Sequence, residues 1–387
     1  MAYDRPRTIS DGSNELSVFK GKNFVQLWWT DYVSAVRVRI VPMRHFMRLV
    51  EKRQFVTVWP HYLRLIDIAL PPVAPDRGLN AGKCHLIADF ETLRPHPILL
   101  DHIILFCYFG LSITGPSLGP VTLEAPECPR QALSNVLDDA ASASVGFRLG
   151  FELEFSCHPH DQSGPPAEAH RSSGLRAMES FMLPLLTALS NTLNRVDIEV
   201  EQLHCEGGAD AYELVTGPKE PMEAVDDLVL TKETARRFCR ERGVALTFNP
   251  AAPSFNGMHC TISIDGPEEQ VAQLEDHFLA GVFEHIDALC AFALVRPESY
   301  DRTAVDVCCT GRYAAWGTEN RELAFRKRRP GCWEMRIPDA AGQMYLYIAA
   351  VILAGLDGIR SKAELSAKDC QSEYPCSYHA TMVMTCC

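Results

Sequence analysis

Acidic and basic residues alternate with apolar ones in short segments of this 387-residue chain. Glu152 and Glu154 stand two residues apart in the apolar run GFELEF, so a strand would place both carboxylates on one face. Glu334 and Arg336 have the same spacing in WEMRI. Adjacent carboxylates repel each other unless a cation lies between them or water screens them. These pairs indicate a metal ion beside an anionic substrate, with a solvated strand face or surface ion pairs as the alternative.

Three further side chains are candidate metal ligands. Glu206 and Glu213 lie on either side of a predicted hairpin turn, so both carboxylates would reach one point. His259 lies on a predicted strand, where a single histidine is more often structural than a ligand. Glutamates with one imidazole favour Mg²⁺ or Mn²⁺ over zinc, and cations beside arginines suit phosphoryl transfer. The residues therefore indicate a metal-dependent enzyme that uses a nucleotide, without a glycine-rich P-loop.

The elements that must position these residues form a small and a large domain. Residues 1–17 are polar and predicted to be loose. Residues 24–42 alternate in the manner of a hairpin, a helix is predicted near 43–52, and residues 18–118 form an α+β domain. A predicted helix over residues 129–143 connects to the second domain.

In the second domain the patterns predict helices near residues 174–195, 224–242 and 268–294, with Gly243 ending the second. Arg296–Arg302 is predicted to be a turn, and a tight turn is predicted to carry Arg321 and Arg326. A long apolar helix after Asp339 would support the strand that holds Glu334.

Composition excludes several classes of protein. The net charge of −12 and the absence of a basic stripe with aromatics argue against nucleic-acid binding. The apolar runs at 97–114 and 344–356 are interrupted or too short to span a membrane. The 15 cysteines lack zinc spacing and no signal peptide is evident, which indicates reduced thiols in a cytoplasmic protein.

Six segments carry a family resemblance. GFELEF, EQLHCEGGADAYEL, NGMHCTIS, ESYDR, WGTENRELAFR and WEMRIPD occur in the order seen in type I glutamine synthetases, and the chain most closely resembles the fungal glutamine-synthetase-like branch. The resemblance is weak over residues 20–96 and good over 125–370. It implies an α+β fold: a small β-grasp-like N-terminal domain, then over 119–370 a catalytic domain with a curved antiparallel sheet and flanking helices.

The resemblance also implies a site with two divalent cations. One cation would take Glu154, Glu206 and Glu213, and the other Glu152, His259 and Glu334. Arg321 and Arg326 match the arginines that hold the nucleotide phosphates, with Arg321 also stabilising the transferring phosphoryl group, and Ser263 matches a nucleotide contact. Arg302, Arg336 and Gly257 match residues that bind the substrate amino acid. Asp31 would reach the next subunit to bind ammonium and accept its proton.

The implied activity is that of an ATP-dependent carboxylate–amine ligase in nitrogen metabolism. ATP would phosphorylate the γ-carboxylate of glutamate with two Mg²⁺ or Mn²⁺ ions, and ammonia or a larger amine would displace the phosphate. The protein would bind only small-molecule substrates and, if its short tail permits, would form a homo-oligomer with sites between subunits.

Several positions depart from the family pattern. Cys308 and Cys309 stand near the place of a flap glutamate, and no tyrosine matches within residues 170–175. These losses suggest an amine larger than ammonia, or a catalytically impaired protein with a regulatory or binding role. Residues 98–121 are predicted to be an atypical insertion. Residues 371–387 are predicted to be an atypical short tail in place of the family's C-terminal helices.

Overall fold

The structure is a computed structural model that describes residues 18–63, 84–111, 128–159, 174–178, 182–207, 210–251, 255–303 and 313–370. The chain divides into two compact units, Met1–Ser134 and Asn135–Cys387. The domain boundary predicted at residues 118 and 119 lies outside the described residues, as do the N-terminal residues 1–17 and the tail 371–387.

The first unit is built on one sheet with the strand order β2-β1-β6-β4-β3, and β5 pairs with β6. Its elements are β1 (Phe24–Thr30), β2 (Val36–Pro42), α1 (Met43–Glu51), β3 (Val56–Val58), β4 (Cys84–Ala88), β5 (Arg94–Pro95) and β6 (His102–Leu111). The predicted hairpin and helix are both present, because β1 pairs antiparallel with β2 and α1 follows directly. Val25, Leu27 and Phe46 belong to the buried core between the sheet and α1.

Strand β6 lies in the middle of this sheet and covers residues 102–111 of the stretch 98–121 that was predicted to be an atypical insertion. It pairs parallel with β1 at one end and antiparallel with β4 at the other. Ile103, Leu105 and Phe109 are fully buried. A strand buried on both faces has a continuous apolar run rather than an alternating pattern, which is why the sequence did not predict it. Residues 112–121 lie outside the described residues.

The second unit contains the remaining helices and strands. Its elements are α2 (Pro129–Ser142, which starts in the first unit), β7 (Gly146–Pro159), α3 (Leu175–Met178), α4 (Met182–Asn194), β8 (Val200–Cys205), β9 (Ala211–Thr216), α5 (Pro221–Arg240), β10 (Val244–Thr247), β11 (Met258–Asp265), α6 (Glu268–Glu284), α7 (Ile286–Ala293), α8 (Pro297–Asp301), β12 (Trp316–Thr318), β13 (Phe325–Arg329), β14 (Cys332–Met335) and α9 (Met344–Ser361).

These strands form a sheet in the order β12-β13-β14-β11-β7-β9-β8, with β10 beside β7. The predicted antiparallel sheet is thus mixed, because β12 pairs parallel with β13 while the other pairs are antiparallel. The long strand β7 pairs with three neighbours, and alternation buries Phe151, Leu153 and Phe155. The opposite face of β7 is therefore available for polar side chains.

Helices α6 and α9 support this sheet through close packing. A Cβ on Gly281 would lie 2.2 Å from the backbone oxygen of Ala354, so only glycine permits this approach. Phe278 stacks on Trp333 at 5.5 Å between ring centroids. By length and composition α9 could cross a membrane, but 61% of that window is buried inside the protein, as in a core helix.

Three local predictions were wrong. The helix predicted over 268–294 is two helices, because it breaks at His285, which ends α6 and caps α7. The predicted turn Arg296–Arg302 contains the short helix α8. Arg326 lies within β13 rather than in a turn. A pattern of residue types indicates that an element exists but does not fix where it ends or breaks.

Candidate metal and phosphate site

Strand β7 presents Glu152 and Glu154 on the face opposite its buried aromatic residues, as predicted. Each carboxylate has a neighbour directly across the sheet. Glu152 faces His259 on β11, and Glu154 faces Glu213 on β9. Strand register therefore brings four predicted ligands onto adjacent strands.

One group of possible ligands consists of Glu152, His259 and Glu334. Nδ1 of His259 lies 3.3 Å from Oε2 of Glu152 and 3.6 Å from Oε1 of Glu334. Glu334 is fully buried and His259 nearly so. These are the three residues that the resemblance assigns to one cation, and the structure brings them together.

A second group consists of Glu154, Glu213 and His259. Nε2 of His259 lies 3.7 Å from Oε1 of Glu154, so the imidazole lies between the two groups. The backbone N–H of Gly257 donates to Oε2 of Glu154 over 2.6 Å. A backbone donor to a carboxylate is a strong, charge-assisted hydrogen bond that fixes the orientation of Glu154.

The third group joins Glu206 and Glu213 through His204, which was not among the predicted ligands. Nδ1 of His204 lies 3.2 Å from Oε1 of Glu206, and its Nε2 lies 3.1 Å from Oε1 of Glu213. His204 faces Glu213 across the β8–β9 pair. The predicted set of Glu154, Glu206 and Glu213 is therefore split between two groups that share Glu213.

Charges within these groups shift the pKa values of their members. Burial raises the pKa of Glu206, and the nearby charges of Glu213 and Glu154 raise it further. Burial also opposes ionisation of Glu152, but His259, Arg336 and Arg328 outweigh it and lower the pKa of that carboxyl. The hydrogen bond to Glu213 raises the pKa of His204. On the Glu206 side the neighbouring carboxylates outweigh the effect of His204, whereas on the Glu152 side the imidazole and the arginines prevail.

Arginines line the Glu334 side. Arg326 Nη1 donates to Oε2 of Glu334 over 2.8 Å, and Arg336 donates to Oε1 of the same carboxylate. Arg328 Nη1 lies 3.5 Å from Oε2 of Glu334 and 3.9 Å from Oε1 of Glu152. Arg328 was missed as a site residue, although its spacing of two from Arg326 on a strand places both on one face.

Arg302 is buried completely, and this burial limits its predicted role as a substrate clamp. Its Nη2 donates to the backbone oxygens of Ile337 and Pro338. A Cβ on Gly257 would lie 3.0 Å from Nη1 of Arg302 and 3.2 Å from Oε1 of Glu154. Arg302 and Gly257 thus lie beside the candidate metal ligand Glu154, and Nη2 of the guanidinium is hydrogen-bonded to the backbone.

Three predicted residues are not members of these groups. Ser263 is on β11 four residues beyond His259, about 13 Å along an extended strand. Arg321 is exposed in the connection between β12 and β13. Asp31 belongs to the first unit and is buried, with Oδ1 accepting from the backbone N–H groups of Val33 and Ala35.

The residues present fit two hard divalent cations. Neighbouring ligands in an octahedral site with bonds near 2.1 Å are about 3 Å apart. In these groups the distances between an imidazole nitrogen and a carboxylate oxygen run from 3.1 to 3.7 Å. The candidate donors are five carboxylates and the imidazoles of His204 and His259. Oxygen-rich donors of this kind suit Mg²⁺ or Mn²⁺.

Comparisons with known proteins identify the family of this chain. Residues 126–378 match the model of the glutamine synthetase catalytic domain. Protein fluG of Emericella nidulans is 30% identical over 90% of this chain and 40% of its own length. Gamma-glutamylpolyamine synthetase GlnA3 of Streptomyces coelicolor is 31% identical over 62% of this chain and 56% of its own length.

The chain thus spans about half the length of these two relatives. The fold also matches a solved structure titled as the GmaS/ADP complex, with a TM-score of 0.77, 20% identity, and coverage of 92% of this chain and 83% of that one. At this identity the likeness concerns the fold alone. The family match, which covers well over half of the residues, shows that the chain belongs to the glutamine synthetase family.

Proposed function

We propose that this protein is a carboxylate–amine ligase that uses ATP and two divalent cations. The observation that carries the proposal is the continuous run of ligand groups from Glu206 to Glu334, with His259 and Glu213 shared between neighbours. Burial raises the pKa of Glu206, and the charges of Glu213 and Glu154 raise it further, so repulsion between these carboxylates is a cost as long as no cation is bound. A pair of cations would remove it.

The arginines beside Glu334 support a phosphoryl-transfer step. In such a reaction the enzyme mainly positions the phosphate and neutralises its developing charge. Arg326, Arg328 and Arg336 all lie within contact distance of the buried Glu334 carboxylate. In this proposal Glu334 would hold a cation next to these guanidiniums, and a cation bound there would supply Lewis-acid polarisation of a phosphate or carboxylate oxygen.

The proposed substrates are ATP, the γ-carboxylate of glutamate and an amine. ATP would phosphorylate the carboxylate, and the amine nitrogen would then displace phosphate to form an amide. The name of the Streptomyces relative supports an amine larger than ammonia. The protein is proposed to act in the cytoplasm. Its proposed partners are these small molecules and further copies of the chain, and they include neither nucleic acid nor a membrane.

A second candidate is a catalytically impaired relative with a regulatory or binding role. The burial of Arg302 and its bonds to backbone oxygens favour it, because a clamp for an amino acid needs an accessible guanidinium. The flap region around Cys308 and Cys309 lies outside the described residues.

Phosphate release from ATP decides between the two candidates. Purified protein is assayed with glutamate and with ammonia, methylamine or a polyamine, under Mg²⁺ and under Mn²⁺, and the amide product is identified by mass spectrometry. A ligase releases phosphate only with glutamate and an amine present, and a Glu152→Gln variant loses this activity. Nucleotide binding without amide formation under any condition would select the impaired relative.

A further inference from the structure

Glu319 follows β12, and its carboxylate binds the guanidinium of Arg326. In the proposed function this guanidinium binds a phosphate. The backbone of Glu319 is in the left-handed region, with φ at 53°, and its N–H donates to the carbonyl oxygen of Lys327 over 3.0 Å. Its side chain is about half exposed, at 53%. A non-glycine residue persists in this conformation only where the surroundings hold it.

The carboxylate of Glu319 contacts one edge of the Arg326 guanidinium. Its Oε2 accepts from Nε over 2.9 Å and also from Nη2. Glu334 accepts from Nη1 on the other side. A phosphate oxygen binds arginine through the same N–H groups, so Glu319 and a phosphate compete for one edge.

Other arginines lie close enough to Glu319 to act on its charge. The hydrogen bond from Arg326 lowers the pKa of Glu319, and the positive charges of Arg328 and Arg321 lower it further. Three guanidiniums around one accessible carboxylate are an environment suited to an anion. Glu319 supplies that anion from the chain itself.

The turn that carries Glu319 is held from both sides. Asp369 accepts from the backbone N–H of Thr318 over 2.8 Å and from its hydroxyl over 2.7 Å. The side-chain amide of Asn320 donates to the backbone oxygen of Cys370 over 2.9 Å. These hydrogen bonds fix the backbone on either side of Glu319. A phosphate that reaches Arg326 therefore has to displace only the side chain of Glu319.

We propose that Glu319 is an internal competitor of the nucleotide phosphate at Arg326 and so lowers the affinity for nucleotide. This inference rests on the proposed function. The carboxylate balances the charge of Arg326 while no nucleotide is bound and rotates away when one binds. The competition is electrostatic, so it weakens as salt increases.

Calorimetric titration of the whole chain with ADP and Mg²⁺ at low salt tests the proposal. Glu319→Gln should bind ADP about tenfold more tightly than the natural chain, because the lost bonds to a charged group no longer oppose the phosphate. Glu322→Gln, an exposed change three residues further along the same connection, is the matched control and should leave the affinity unchanged. The gain of Glu319→Gln should shrink in 0.5 M salt.

Unchanged or weaker ADP binding by Glu319→Gln would overturn the inference and make Glu319 a residue that positions Arg326. A double variant, Glu319→Gln with Arg326→Gln, should lose the gain; if it keeps the gain, competition at Arg326 is also excluded. Absence of ADP binding in every variant, with circular dichroism showing folded protein, would instead contradict the proposed function.

Discussion

Arg326 and Glu334 face each other across the antiparallel pair β13–β14, with Nη1 of the arginine 2.8 Å from Oε2 of the carboxylate. The other oxygen of Glu334 contacts Arg336 and lies 3.6 Å from Nδ1 of His259. One buried carboxylate therefore joins Arg326, predicted to bind phosphate, and Arg336, predicted to bind the substrate amino acid, to the predicted metal ligands. A change at Glu334 should affect both.

Replacing Glu334 with glutamine should weaken metal binding and destabilise the second unit. The buried Arg326 would keep Glu319 but lose Glu334, and the partly buried Arg336 would lose its bond to the same carboxylate, which together costs about 3 kcal/mol of unfolding free energy. Mn²⁺ affinity, measured by electron paramagnetic resonance, should fall at least tenfold. Mutation of residues that merely orient metal ligands already lowers metal affinity by about 10- to 100-fold. Glu233→Gln, in a surface pair with Arg236, is the control and should change stability by about 1 kcal/mol at most. Equal effects of the two variants would contradict this assignment.

Replacing His204 with glutamine should affect one cation position and spare the other. The imidazole lies between Glu206 and Glu213 but is not in the group of Glu152 and Glu334. We expect about a tenfold loss of affinity for one of two bound Mn²⁺ ions, as for residues that orient metal ligands. The titration of free Mn²⁺ by its resonance signal reports both sites. Equal weakening of the two sites would show that His204 acts on the whole fold.

Asp31 is predicted to accept a proton from the amine, yet its carboxylate already holds the turn after β1. Oδ2 accepts from Nε of Arg37 over 2.9 Å, in addition to the backbone donors to Oδ1. Asp31→Asn should lower the unfolding free energy by about 1–3 kcal/mol, the cost of disturbing a buried hydrogen-bonded charge.

Arg37→Gln separates the two roles of Asp31, because it removes the ion pair and leaves the carboxylate. Urea unfolding should show that both variants are destabilised. Loss of phosphate release in Asp31→Asn alone would support the proton-accepting role. Equal loss in both variants would leave Asp31 with a structural role only.

Lys232 should make the protein more stable as the pH rises above 8. Burial lowers its pKa from 10.5 to about 8, while Nζ donates to the backbone oxygen of Ala340 over 2.5 Å. Between the two pKa values the unfolded chain binds the proton and the folded chain does not. Stability therefore rises with pH in this window, by about 1.4 kcal/mol per pH unit for one group.

The difference in urea unfolding between the natural chain and Lys232→Met, measured from pH 7 to pH 10.5, isolates this contribution. Lys219 is a contrast, because its bonds to Asp227 and Glu223 outweigh burial and raise its pKa. Its stabilising contribution is present below pH 10.5 and is lost above it. A Lys232→Met difference that does not change with pH would contradict the burial effect.

Gly281→Ala should weaken the packing of α6 on α9. The added methyl group would lie 2.2 Å from the backbone oxygen of Ala354 and 2.7 Å from the backbone nitrogen of Gly358. Backbone atoms of a helix cannot move aside without shifting the helix, so we expect a cost of about 1–3 kcal/mol. Thermal unfolding should show a lower midpoint. An unchanged midpoint would mean that the two helices are further apart than described.

Patterns with a short period were predictable from the sequence. The alternation around Glu152 and Glu154 placed both carboxylates on one face, because side chains of a strand alternate every residue. Gly243, with φ at 72°, follows α5 as predicted for a glycine that ends a helix. The family motifs also contain the glutamates and the histidine that were predicted as metal ligands.

Only the tertiary structure decided which side chains meet. Strand register makes His204 face Glu213, His259 face Glu152 and Arg326 face Glu334. A slip of one residue in any of these pairs would turn the side chains of one strand to the opposite face of the sheet. The hydrophobic pattern of a strand sets which face is buried, but which strands become neighbours depends on the packing of residues far apart in the chain. The placement of β6 and the burial of Arg302 follow from the same long-range packing.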